Sequence, residues 1–197
     1  MSKSIDLKKK IKRFNKKIIV AGDKSLSIRW VLLSSLANGI SKAKNLLMSE
    51  DVLAAIEAVK KLGIKVIIKK KECIIYGKGI DGYKYKKNLT IDAQNSGTLG
   101  RLILGLLVNS PEPINLIGDK SLSKRDFYRV IKPLKLLGVN IESNNNLLPI
   151  KISGTDFLRP IIYDENIGSA QVKSCIMLSA LNTPGLTIIN SKKSRNH

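Results

Sequence analysis

The sequence predicts a mixed α/β fold (α/β, α+β) assembled from repeated βαβαββ units. Three observations carry this. Arg29, Arg101 and Lys173 fall 72 residues apart, each four or five residues after a serine (Ser25, Ser96, Ser169) and each inside an apolar run. The order strand, helix, strand, helix, hairpin reads through twice and begins a third time. Leu62-Gly63-Ile64 and Leu137-Gly138-Val139 repeat at a spacing of 75. Periodicity on this scale fixes architecture, because each repeat is a supersecondary unit that buries its apolar face against the next.

The first unit opens with a short apolar strand at 18–20 and a helix over about 25–37 that stops near Asn38-Gly39, a normal helix exit. A strand near 40–46 leads to Ser49-Glu50-Asp51, where a capping hydroxyl and two first-turn acids open a second helix. Val52, Ile56, Val59 and Leu62 recur there at helical spacing, and Gly63 ends it. Residues 64–68 and 73–76 then read as a hairpin around Lys69-Lys70-Lys71-Glu72.

The second unit has a strand at 89–92, a helix over 96–108 with Leu99, Leu102, Ile103, Leu106 and Leu107 on one face, and a strand at 114–117. A helix over about 124–137 follows, with Pro133 inside it as a kink because proline removes a backbone donor. Strands at 139–142 and 148–152 pair across an Asn-rich turn. The third unit offers a strand at 160–163, a helix at 169–181 and a strand at 186–190. The units thus run about 18–80, 88–154 and 160–197, after a basic segment over 1–17. Two complete units and an incomplete third leave apolar faces without their covering partner, which points to a longer parent protein or a compromised domain.

A chain of 197 residues can bury a substantial core. Its formal net charge of +20 is spread from Lys8 to Lys193 and attracts nucleic acid, acidic membranes or phosphorylated metabolites without choosing among them. The plainest account of most of these lysines is a soluble surface. No apolar run approaches the length of a membrane span, and the reading is cytoplasmic with no membrane partner. Cys73 and Cys175 lack metal-ligand spacing and read as buried free thiols, so no metal site is expected.

The chemistry centres on Gly22-Asp23-Lys24-Ser25-Leu26-Ser27-Ile28-Arg29, a polar turn at the head of the first helix. A helix start exposes unpaired N–H groups and the positive end of the macrodipole, so hydroxyls and cations gathered there form an anion seat. The alternative is that Ser25 only caps the helix while Lys24 and Arg29 are solvated. Repetition favours the seat: three helices begin the same way, and their heads converge on one anion if the units pack about a common axis.

That stretch, Asn95-Ser96-Gly97-Thr98 with Arg101, Gly118-Asp119-Lys120-Ser121-Leu122-Ser123-Lys124-Arg125, and Ser169-Ala170-Gln171-Val172-Lys173-Ser174 closely resemble, in order and spacing, the signatures of the 5-enolpyruvylshikimate-3-phosphate synthase family. Ser194-Arg195-Asn196-His197 is similar to the start of its Ser/Thr-Arg-Asp-His segment. The resemblance implies an enolpyruvyl transferase domain, an inside-out α/β barrel of three βαβαββ units, here with the third unit incomplete and the family's second domain absent. It implies transfer of enolpyruvyl from phosphoenolpyruvate to the 5-hydroxyl of shikimate 3-phosphate, on the route to chorismate and the aromatic amino acids, with no cofactor. Lys24, Ser25, Arg29, Ser169, Ala170, Gln171 and Ser194 would hold shikimate 3-phosphate. Lys24, Gly97, Arg125 and Gln171 would hold phosphoenolpyruvate, Arg125 through the fixed donor fork of a guanidinium. Arg101 has two readings, a ligand contact or a brace for its own loop.

The sequence departs from the family pattern at Ala21, Ile28, Trp30, Gln94, Asp126 and Asn196. Asp126 places a carboxylate where it competes for Arg125, and Trp30 threatens to overfill the first helix face. Family members are much longer, and the general base belongs to the missing half, so no catalytic residue is expected in this chain and little turnover from it alone. A C-terminal half is the partner such a chain would need. Three other readings stand beside this one. A UDP-amino-sugar enolpyruvyl transferase is disfavoured by Gly-Asp-Lys-Ser with Arg29 and by Ser-Ala-Gln-Val-Lys. A nucleic-acid-binding protein is disfavoured by 5% aromatics and no basic stripe suited to base stacking, so no specific nucleic acid is expected, while a non-catalytic remnant that folds and binds shikimate 3-phosphate weakly stays open.

Overall fold

A computed structural model of the protein describes residues 6, 8, 10, 12, 13, 15–69 and 72–191. The elements run α1 (Lys24–Ser35), β1 (Asn38–Lys44), α2 (Glu50–Lys61), β2 (Lys65–Lys69), β3 (Glu72–Lys78), β4 (Leu89–Asp92), α3 (Gly97–Leu106), β5 (Ile114–Ile117), a 3-10 turn (Leu122–Lys124), α4 (Tyr128–Leu136), β6 (Asn140–Ser143), β7 (Ile150–Ser153), β8 (Ile162–Glu165), α5 (Ala170–Ala180) and β9 (Ile188–Ser191). They form three sheets, ordered β1-β3-β2, β4-β5-β7-β6 and β8-β9. β4 with β5 and β8 with β9 pair parallel across α3 and α5, while the hairpins β2-β3 and β6-β7 are antiparallel.

The helix heads are set by short side chains that accept orphan N–H groups. Asp23 caps α1 by accepting from Leu26 N at 2.7 Å, Ser96 caps α3 through Leu99 N at 3.3 Å, and Ser169 caps α5 through Val172 N at 3.4 Å. Capping therefore accounts for Ser96 and Ser169. It does not account for Ser25, whose place in the cap is taken by Asp23.

Helix α3 lies at the centre, with every residue buried except Thr98. A helix apolar all round belongs inside a domain. It packs Leu99, Leu102, Ile103 and Leu106 among Ile28 and Leu32 of α1, Ile56 of α2, Phe127, and Cys175 and Ile176 of α5, all essentially inaccessible. Where α3 meets α5, Gly105 faces the Cys175 carbonyl so closely that a side-chain carbon would clash. The glycine there sets how near the two helices come. Burial pushes the Cys175 thiol up to about 12, and both cysteines are free and buried.

Two expected elements differ. The strand at 18–20 is not formed: Ile18, Ile19 and Val20 are 72%, 85% and 73% exposed. The segment runs beside the end of β1, with Asn45 Nδ2 donating to Val20 O at 3.0 Å and Gly22 pressed against the Asn45 carbonyl, without joining a ladder. Three residues supply too few hydrogen bonds to hold an edge alone. The helix placed over 124–137 is two pieces. Asp126 Oδ1 accepts Tyr128 N at 2.7 Å and starts α4 late, so Pro133 lies within a nine-residue helix. Trp30 packs partly buried against the core. Among the described residues no helix is long and apolar enough to cross a membrane.

Candidate functional site

The heads of three helices border one cavity of about 1110 Å³. Asp23, Ser25, Leu26 and Arg29 come from α1 and its cap, Thr98 from α3, and residues 167–171 with Lys173, Ser174 and Met177 from the loop before α5 and from α5 itself. Arg129 enters from the first turn of α4. Residues far apart in sequence are neighbours here because α1 and α5 both pack on α3 and the three N-termini border the same cavity.

Arg29 spans two of these helices. Its Nη1 donates to Ser25 O at 3.2 Å on its own helix, and its Nη2 donates to Ser174 Oγ at 3.1 Å on α5. Gln171 spans another pair: its Oε1 accepts from Arg101 Nη1 at 3.1 Å and its Nε2 donates to Thr98 Oγ1 at 3.1 Å. Arg101 is 7% exposed and also donates to Gly97 O at 3.2 Å and, through Nη2, to Asp126 O at 3.1 Å, with its guanidinium 4.9 Å from the centre of the Phe127 ring. These bonds tie its own helix head to Gln171 and to the loop before α4. Burial, and then the charges of Arg129 and Arg125, lower its pKa from the usual guanidinium value.

Beneath the α5 head lies Glu165, 2% exposed, at the end of β8. Its carboxylate accepts Ile167 N at 3.0 Å, Gly168 N at 2.9 Å and Ser169 N at 3.1 Å, which folds the loop that presents Ser169, Ala170 and Gln171. Burial alone would raise this carboxyl, but the donated N–H groups outweigh it and hold its pKa below the ordinary value.

Ser25, Arg29, Ser169, Ala170 and Gln171 thus border the same cavity. Gly97 and Arg125 form a second group beside it: a side-chain carbon on Gly97 would lie 2.8 Å from Arg101 Nη1 and 3.4 Å from Arg125 Nη1. Arg125 Nη2 is held by Asn95 Oδ1 at 3.1 Å and Ser121 Oγ at 3.2 Å. The expected competition from Asp126 is absent, since that carboxylate accepts Tyr128 N–H and makes no ion pair with Arg125. Lys24 does not line the cavity; its Nζ pairs with Asp51 Oδ2 at 2.8 Å. Ser194, with the segment to His197, lies outside the described residues.

Arg129 and Glu165 are the functional candidates that sequence reasoning missed. Arg129 is one cation among 35, and Glu165 is an acid in a strand end, so neither carries a local signal. Chemically, the arrangement receives anions. Asp23, the one carboxylate on the cavity wall, already caps α1, so the described lining residues include no free general base. Among the described residues no three His, Cys, Asp or Glu gather to hold a metal ion.

Comparison with known proteins gives the geometry a context. A profile of the EPSP synthase (3-phosphoshikimate 1-carboxyvinyltransferase) family matches residues 8–197. The 3-phosphoshikimate 1-carboxyvinyltransferase of Ruthia magnifica subsp. Calyptogena magnifica is 47% identical over 171 residues, covering 86% of this chain and 39% of the relative. That of Streptococcus pyogenes serotype M4 is 43% identical over 183 residues, covering 91% and 43%. The solved EPSP synthase from Acinetobacter baumannii superposes with a TM-score of 0.86 at 34% identity, over 92% of this chain and 42% of that one. The chain spans about two-fifths of the length of the relatives it matches.

Proposed function

The chain belongs to the EPSP synthase family, and on that premise we propose that its cavity binds shikimate 3-phosphate, with Ser25, Arg29, Ser169, Ala170 and Gln171 as contacts. Gly97 and Arg125, with Lys24 once released from Asp51, take phosphoenolpyruvate. Residues 18–197 make up an incomplete enolpyruvyl transferase domain of repeated units about 18–80, 88–154 and 160–197. The reaction served is enolpyruvyl transfer to the 5-hydroxyl of shikimate 3-phosphate in the cytoplasm, with a general base supplied by sequence beyond this chain. The 197-residue chain alone binds ligand and turns over little.

The single observation that carries this reading is the convergence of three helix heads on one cavity with Arg29 at its wall. The ligand carries a phosphate and a carboxylate. N–H dipoles and a guanidinium meet such charges with short, charge-assisted bonds. The bond from Arg29 to Ser174 already ties two heads together, so the guanidinium is pre-oriented and loses little freedom when an anion arrives.

Isothermal titration with shikimate 3-phosphate tests the reading. The expected result is one saturable site that tolerates moderate salt and weakens strongly in Arg29→Gln. Uptake that fades steeply with salt and is indifferent to Arg29 would mark diffuse attraction to a +20 surface instead.

A further inference from the structure

Four guanidiniums gather around the helix heads, and they are not equivalent. Arg29 is bonded to Ser25 and Ser174, Arg101 to Gly97, Gln171 and Asp126, and Arg125 to Asn95 and Ser121. The Arg129 side chain alone of the four makes no hydrogen bond or ion pair with any described residue, although it is half-buried and lines the cavity. The nearest acid in sequence, Asp126, accepts Tyr128 N–H through Oδ1 and forms no ion pair with it. A half-buried cation without a partner gives up hydration for nothing in return unless an anion completes it.

We propose that Arg129 is a further ligand-binding residue of this cavity, a second guanidinium that works with Arg29 on a ligand bearing two separate anionic groups. The inference rests on the shikimate 3-phosphate reading, whose phosphate and carboxylate are two such groups. Arg29 approaches from α1 and Arg129 from the first turn of α4, so the two cations enter from different elements rather than stacking on one charge. The charge of Arg129 also presses on buried Arg101, helping to lower its pKa, and an anion bound between them would relieve that repulsion. Position in the first turn suits the role for a second reason: anions are favoured at a helix start, so α4 adds its own positive end to the same ligand.

The test is titration of the 197-residue chain with shikimate 3-phosphate, and separately with shikimate and with inorganic phosphate, comparing wild type, Arg129→Gln and Arg129→Lys, with circular dichroism melts as a check on folding. Loss of one charge-assisted contact predicts shikimate 3-phosphate bound about ten- to a hundredfold more weakly by Arg129→Gln. Arg129→Lys keeps the charge but loses the fork and is expected to fall between the two. Weakening toward shikimate or toward inorganic phosphate identifies the group that Arg129 grips, and either supports the proposal. Unchanged affinity of Arg129→Gln for all three ligands overturns it while leaving the cavity reading intact. Absence of any shikimate 3-phosphate uptake by the wild-type chain overturns that reading and this inference with it. Should Arg129→Gln not fold, Arg129→Lys decides: affinity equal to wild type overturns the proposal.

Discussion

Arg101 Nη1 and Gln171 Oε1 stand 3.1 Å apart although 70 residues separate them, and both belong to helix heads at one end of the fold. The bond locks the amide of Gln171 with its nitrogen toward Thr98. Removing the guanidinium strands Gln171 Oε1 and Asp126 O as well as the Gly97 carbonyl contact. Arg101→Met is therefore expected to destabilise the chain by about 1–3 kcal/mol in urea denaturation. In a double-mutant cycle with Gln171→Met, the two changes should be non-additive by about 0.5–3 kcal/mol. Additive effects would mean that the two side chains do not act as a unit.

Glu165→Gln replaces a carboxylate that accepts three N–H groups with an amide that can turn only one oxygen toward them. The cost is expected to be about 1–3 kcal/mol near neutral pH, read from thermal or urea midpoints. Its folded pKa is depressed. The contribution is thus complete above the unfolded value of about 4.3 and is lost as pH falls through the folded value. Wild type and Glu165→Gln should converge in stability at acid pH, below the ordinary carboxylate range. A constant gap across pH would contradict the charge-based role.

Two glycines test close approach in opposite ways. At Gly105 an added carbon meets the backbone of Cys175, which cannot swing aside, so Gly105→Ala should separate α3 from α5 and cost about 1–3 kcal/mol. At Gly97 the first atom met is Arg101 Nη1, the tip of a side chain, at 2.8 Å. Gly97→Ala is expected to keep most of the stability and instead disturb the Arg101 to Gln171 contact. Paired urea melts and ligand titrations separate the two outcomes; equal loss of stability in both would count against this distinction.

Much of the fold was legible because local signals agreed with the packing. α2 begins at Ser49-Glu50-Asp51, although the Ser49 hydroxyl makes no cap hydrogen bond; Gly63 ends the turn after it, and Leu89–Asp92 and Ile114–Ile117 are strands where they are expected. The run at 18–20 misled because apolar composition says nothing about whether a neighbouring edge accepts a strand. The helix at 124–137 differs because α4 starts only at Tyr128, whose N–H is accepted by the Asp126 carboxylate, with Phe127 at the N-cap. Within the site, repeated Ser and cation spacing points to Ser25, Arg29 and Ser169, while Ala170 and Gln171 come only from the family resemblance. It was blind to Arg129 and Glu165, whose roles arise only when α4 and β8 pack beside α5. Lys24 looked equivalent to Arg29 in sequence, yet the fold turns it to Asp51.

The central claim is that three helix heads act on one anion, and amide chemical shifts in the isotopically labelled chain test it most directly. On titration with shikimate 3-phosphate, amides at 25–29, 98–101 and 168–174 should move together and saturate with a single dissociation constant. Shifts confined to one head, or spread over the lysine-rich surface without saturation, would contradict it.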